Sequence, residues 1–318
     1  MFCLPVKTFY YWYKNFLSDY ISDKQTGRWC SEKTESVSKK TGEITQKPVY
    51  VFKPENLGVN MSIDDKAIGE DGFTVLSNND TGKMAMPVES TRAEEVEQAM
   101  EKFGSSLQQI KNISMDMSST YALVFNDLIP QAVQVVDKFH VMKYVCEAVG
   151  DVRRRTVKEL THQLSKEKKR TAEDEQILKD IELLRRISHA ITQSPDKWNM
   201  EMQETVQQIF MKYRDIQTAY WISQDFKLWY AYQNGTKPIE TTKNNLQQWY
   251  AKAAQIGEFK SVIKMIKKHE PEILNYFRHG LTNAKAENLN GKLQRFVSAN
   301  YGLKDKDFFL YRTVGYFS

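Results

Sequence analysis

Residues 113–141 read ISMDMSSTYALVFNDLIPQAVQVVDKFHV, and the succession of elements within them decides the fold. The run IKNISMD, 110–116, has the short, bounded apolar pattern of a strand. SSTYALVFNDLIP, 118–130, reads as a helix with Ser118 as its N-cap and Pro130 past its end. QAVQVVDKF, 131–139, reads as the next strand. A strand, a single helix and a strand imply parallel pairing and an α/β layer architecture. The second strand closes on Asp137 and Lys138, with His140 just beyond. Burying a carboxylate or an imidazole without a partner is costly, so these groups should have work to do at the strand end.

Upstream lie three more strand patterns: NMSIDD (60–65), GFTVLSNND (72–80) and KMAMPVES (83–90), with Asn-Asp-x-Gly turn chemistry between the last two. STRAEEVEQAMEKFG (90–104) then reads as a helix: Ser90 or Thr91 caps it, Glu94 and Glu95 suit its first turn, and Gly104 follows its end. The order is β-β-β-α-β-α-β. An antiparallel meander leads into parallel strands, giving a mixed sheet flanked by helices.

Beyond Val141 the strand signal fades. Residues 142–278 are rich in Lys, Glu, Gln and Leu at helical spacing and read as an all-helical insertion. Its Trp198, Trp221, Trp229 and Trp249 are read as packing between helices rather than as a base-stacking platform, with Trp221 and Trp229 mostly buried. Residues 1–57 read as a leading segment: the aromatic TFYYWYKNFLSDYI as a short helix, and SEKTESVSKKTGEITQKP as a linker or loose hairpin. The layout is 1–57, then 58–141 and 279–318 as two parts of one α/β domain around the 142–278 insertion.

The 318 residues carry a net charge of +5, are 41% apolar and 12% aromatic, and so can bury a core. The mild basicity permits a polyanionic partner without demanding one. Cys3, Cys30 and Cys146 are far apart and suggest neither a disulfide framework nor a zinc knuckle. No apolar stretch approaches membrane-spanning length, and a reducing cytoplasm is expected.

Three acids stand out by position. Asp64 closes the first strand pattern, and Asp116 closes the fourth just before a helix. Catalytic groups commonly sit at strand ends in parallel sheets. Glu287 lies in LTNAKAENLNGKLQRF, where Asn283, Glu287 and Asn290 share one helical face and Leu289, Leu293 and Phe296 take another. Two aspartates and a glutamate without a His or Cys set supply hard oxygen ligands suited to Mg²⁺ or Mn²⁺. Two such ions could serve phosphodiester chemistry. On the helix alone, a solvated amide-rich face is the favoured reading of the last acid.

The block from Ile113 to Arg155 resembles the DDE transposases of bacterial insertion sequences, closest to the ISL family. The matching motifs are Asp116-Met117, Tyr121, Pro130-Gln131-Ala132, Asp137-Lys138-Phe139-His140-Val141 and Val152-Arg153-Arg154. The tail TNAKAENLNGKLQRFVSANYG is similar to that family's closing motif, and the likeness covers about 58–318. It implies a ribonuclease-H-like catalytic fold, with the helical insertion ahead of the helix that bears the last acid. It also implies metal-dependent cutting of transposon ends and strand transfer into target DNA, by a protein that assembles as a homo-oligomer on DNA in the bacterial cytoplasm. Carried over by motif, the catalytic and metal-binding acids are Asp64, Asp116 and Glu287, with two Mg²⁺ or Mn²⁺ ions. Asp65 rivals Asp64, although an adjacent strand residue points to the opposite face.

Asp137 and His140, with Asn283 and Asn290, would orient the acids or touch a DNA phosphate; a satisfied structural Asp-His pair is the alternative. Arg153, Arg154, Arg155, Lys285, Lys292 and Arg295 either grip phosphates or form an exposed basic face. The family commonly carries an N-terminal zinc-binding and helix-turn-helix region, for which this sequence has no matching cysteine pattern. End recognition is therefore expected on a separate polypeptide, or the chain is a truncated copy. A non-catalytic DNA-binding remnant and a metal-dependent nuclease without strand transfer are the rival readings.

Overall fold

The computed structural model describes residues 5–30, 35–37, 44–46, 50–68, 71–117, 119–164, 171–232, 238–279, 284–299 and 305–318. They form two compact units, 1–137 with 281–318, and 138–280.

The first unit is built on a seven-stranded sheet. Its strands are β1 (Trp29–Cys30), β4 (Tyr50–Val51), β5 (Asn60–Ile68), β6 (Asp71–Asn78), β7 (Met84–Val88), β8 (Asn112–Met115) and β9 (Val133–Val136), and a hairpin of β2 (Glu35–Val37) and β3 (Ile44–Gln46) stands apart. The sheet order is β1-β4-β7-β6-β5-β8-β9. Strands β5 to β7 form the antiparallel meander, whereas β5–β8 and β8–β9 are parallel. The Asn79-Asp80-Thr81-Gly82 turn between β6 and β7 closes with Gly82 N–H donating to the Asn78 carbonyl at 2.8 Å, and Gly82 takes the positive φ that the turn needs.

Strand alternation sorts the two faces. Met61, Ile63, Leu76, Met86 and Ile113 pack under α3 (Ala93–Met100) and α4 (Ser119–Leu128) in one apolar cluster. Phe73, Val75 and Met84 form a second cluster on the other face, with Leu289 and Leu293 of α12 (Ala284–Ala299) and Phe308 and Val314 of α13 (Lys306–Phe317). This is a ribonuclease-H-like α/β fold that carries a helical insertion.

The leading residues do not stand apart from this unit. After α1 (Val6–Trp12) and α2 (Tyr20–Gln25), β1 and β4 extend the sheet. Tyr20, Trp29 and Val51 are buried in the α13 cluster, and the Tyr311 hydroxyl donates to Asp23 at 2.7 Å. Apolar burial in the same cluster is the force that holds these residues to the sheet.

Strand β9 stops at Val136, and Lys138, Phe139 and His140 open the long helix α5 (Lys138–Gln163) rather than prolonging the strand. Val141, Val145, Ala148, Val149, Val152 and Leu160 all lie on the buried stripe of that helix, so the 3.6-residue period takes over as soon as the strand ends. Asp137 sits between the two elements, where the helix dipole favours a carboxylate.

The second unit is helical throughout its described elements: α5, α6 (Ala172–Arg186), α7 (Met200–Lys212), α8 (Arg214–Tyr232), α9 (Ile239–Ala253), α10 (Phe259–Lys268) and α11 (Glu270–His279), with short 3₁₀ turns. Trp229 is buried among Phe226, Tyr230 and Phe277. Trp221 is not buried: it is 49% exposed. On α8 the buried residues Tyr220, Ser223, Phe226 and Tyr230 take the inner face, leaving Trp221 outward with Asp225 and Leu228 one and two turns on.

Candidate active site

The geometry of the site follows from strand register. Strands β5 and β8 pair in parallel with Met61 opposite Ile113 and Ser62 opposite Ser114. Two residues further on, the same register sets Asp64 opposite Asp116. Carboxylate oxygens of these two residues lie within 4.8 Å of one another. On the other side of β8, Met115 pairs with Val136, and Asp137 N–H donates to the Met115 carbonyl at 2.8 Å. Asp137 is buried at the end of its strand. Three neighbouring strands thus deliver an aspartate each to the place where their parallel pairing ends; Asp64 does not close its strand, because β5 runs on to Ile68 in its pairing with β6.

Asp64 and Asp65 part company, as adjacent strand residues must. Asp64 Oδ2 accepts from Asn290 Nδ2 of α12 at 2.7 Å and lies 2.6 Å from Lys66 Nζ. Asp65 turns to the α4 side, where its Oδ1 accepts from the Tyr121 hydroxyl at 2.6 Å and Thr74 Oγ1 lies 2.7 Å away. Burial raises the Asp65 pKa above the usual carboxylate value, and the Tyr121 and Thr74 hydrogen bonds oppose the rise. The Tyr121 phenol is itself held protonated, first by burial and then by its bond to Asp65.

Glu287 lies on α12 one turn before Asn290, partly buried, on the side of the helix that reaches Asp64. It does not fall in the 4.8 Å cluster that holds Asp64 and Asp116. Leu289 and Leu293 are buried against the sheet, and Phe296 packs at the edge of the same cluster. Asn283 lies outside the described residues, as does Ser118. His140 is in the first turn of α5, where the second unit begins.

The basic residues divide. Arg153 Nη1 donates to the Leu184 carbonyl at 3.3 Å inside the helical unit, and burial lowers its pKa. Arg154 pairs with Asp151, and Arg155 is held by Glu258, Asp215 and Glu159. Lys285 donates to the Asp80 carbonyl and so ties α12 to the β6–β7 turn. Lys292 and Arg295 are exposed on α12. Arg153 and Arg155 therefore spend their guanidinium groups on protein partners, because helix packing brings carbonyls and carboxylates within their reach.

Sequence reading passed over Lys66, Thr74 and the partner role of Tyr121. Lys66 carried a signal: two residues from Asp64 on a strand means the same face. The Tyr121 and Thr74 contacts carried none, since they cross 56 and 9 residues of chain.

The donor set suits Mg²⁺ or Mn²⁺. Two carboxylates offer hard oxygens at a strand edge, the chemistry these ions accept. Among known proteins, the model of a transposase family, the DDE transposases of the ISL3 type, matches residues 61–313. The chain belongs to the ISL3 family of DDE transposases. The match runs from the start of β5 into α13 and so includes both ends of the transposase fold and its insertion. No curated protein and no solved structure matches the chain. Among the described residues of this transposase, no helix is long and apolar enough to cross a membrane. Its family makes DNA its partner.

Proposed function

We propose that this transposase cuts DNA at transposon ends and joins the exposed 3′-hydroxyl to target DNA at a site formed by Asp64, Asp116 and Glu287. The observation that carries this reading is the approach of the Asp64 and Asp116 carboxylates to within 4.8 Å just past the parallel pairing of β5 with β8, Asp64 lying within β5 and Asp116 just after β8. Mg²⁺ or Mn²⁺, bound as a pair, would activate water and stabilise the leaving oxygen at a phosphodiester. Asp64 and Asp116 would hold those ions from the sheet, and Glu287 would complete the set from α12. Asn290 fixes the Asp64 rotamer by donating to Oδ2, so that one carboxylate oxygen keeps its aim. Asp65 is assigned a supporting role, because its carboxylate is engaged by Tyr121 and Thr74 on the opposite face. Asp137 and His140 orient the acids or contact a DNA phosphate near the scissile bond, while Lys292 and Arg295 grip phosphates further along. The active form is a homo-oligomer on DNA.

Glu287→Gln tests the assignment. It keeps size and hydrogen bonding but removes a metal-binding charge. Folding and DNA binding persist, whereas Mg²⁺-dependent cleavage of transposon-end DNA falls by orders of magnitude. Undiminished cleavage by this variant would overturn the role of Glu287.

A further inference from the structure

The three acids leave a neighbouring side chain without a task. Lys66 projects from β5 on the same face as Asp64, and its ammonium lies 2.6 Å from Asp64 Oδ2. The same oxygen accepts from Asn290 at 2.7 Å. Oδ2 is therefore already engaged by an ammonium and an amide, on a side chain only partly open to solvent.

A divalent cation taking this carboxylate meets a positive charge a few ångströms away. Like charges at that separation repel even in water-like surroundings, so the two compete for Asp64. Asn290 carries no charge and can stay. Lys66 has a flexible four-carbon stem with three donors and can swing away. The destination with the right charge is the one that DNA brings, a phosphate oxygen. A strand position keeps the swinging ammonium on the face where the scissile phosphodiester has to lie if Asp64 is to act on it.

Building on the DDE reading above, we propose that Lys66 is a counter-ion handed over from Asp64 to a phosphate of bound DNA when the divalent cation takes the carboxylate. It holds Asp64 while the site is empty of metal, weakens metal binding in the absence of DNA, and contacts substrate when DNA and metal are both in place. Metal loading and DNA binding are thereby coupled: each favours the arrangement that the other needs. A plain structural ion pair on one strand face would do none of this.

The test is Mn²⁺ titration of the full chain without DNA, with free Mn²⁺ read by electron paramagnetic resonance, in the unmodified protein and in Asp64→Asn, Lys66→Met and Lys66→Arg. Asp64→Asn should abolish the site. If it leaves Mn²⁺ binding untouched, the metal reading of Asp64 fails, separately from the role of Lys66. Lys66→Met should bind Mn²⁺ roughly tenfold more tightly, because one repelling charge is gone, whereas Lys66→Arg should stay near the unmodified protein. Unchanged or weaker Mn²⁺ binding in Lys66→Met overturns the competition. In the second arm, duplex transposon-end DNA is cut at saturating Mg²⁺. Lys66→Met should cut at least about tenfold more slowly despite its tighter metal site, and Lys66→Arg should recover much of the rate. Full-speed cleavage by Lys66→Met overturns the hand-over to phosphate.

Discussion

Two aspartates side by side on one strand divide the labour of the sheet. Asp64 faces α12 and Asp116, while Asp65 faces α4 and is bonded by Tyr121 at 2.6 Å. Since Tyr121 lies five residues after Asp116, this bond clips the strand bearing one acid to the helix that follows the other. Tyr121→Phe removes the hydroxyl and leaves the partly buried Asp65 carboxyl oxygen with Thr74 but one donor short. The expected loss is about 1–3 kcal/mol of stability in urea unfolding, and an unchanged midpoint would show that the bond contributes nothing. Asp65→Asn keeps an acceptor for Tyr121, so Mn²⁺ binding should survive it while Asp64→Asn destroys binding. Loss of Mn²⁺ binding in both variants would return Asp65 to contention as a ligand.

At the scale of elements, α12 joins core packing to the proposed site. Leu289 and Leu293 hold the helix to the sheet, and Asn290 on its other side holds Asp64. Leu293→Ala should cost about 2–5 kcal/mol by opening a cavity, and cleavage should fall with it because Glu287 and Asn290 loosen together. In the helical unit, α6 and the end of α7 meet at buried Asp180, which accepts from Lys212, Tyr213 and Gln176. Burial works to raise its pKa, but these donors win and hold it below the usual carboxylate value. A depressed pKa means that the unfolded chain binds the proton more readily. The stability contribution is therefore complete above the ordinary carboxylate value and is lost as pH falls through it towards the folded one. Thermal unfolding followed by circular dichroism should show Asp180→Asn less stable than the unmodified protein at neutral pH, with the gap closing in acid. A gap that stays constant with pH would contradict the sign of this shift.

Across the whole molecule, the proposed grip of the exposed Lys292 and Arg295 on phosphates, on a chain of net charge +5, should make DNA binding salt-dependent. The logarithm of the binding constant should fall linearly with the logarithm of salt, and Lys292→Ala or Arg295→Ala should each reduce that slope by about one. Slopes that do not change would place the phosphate contacts elsewhere. The sequence alone determined the order of elements from 60 to 136, the parallel pairing around Asp116, the helical character of 142–278 and the family, because each rests on local period or a contiguous motif. It also separated Asp64 from Asp65, since alternation along a strand needs no knowledge of the fold. It did not place the end of β9, where strand and helix periods compete within five residues, nor the outward Trp221, whose environment depends on which face of α8 the other helices cover. Only tertiary structure decided that Asn290 would meet Asp64 across 226 residues, that Arg155 would be taken by Glu258 and Asp215, and that Trp29 and Val51 would join the α13 cluster. Such contacts depend on burial and on partners far along the chain, and no local pattern encodes them.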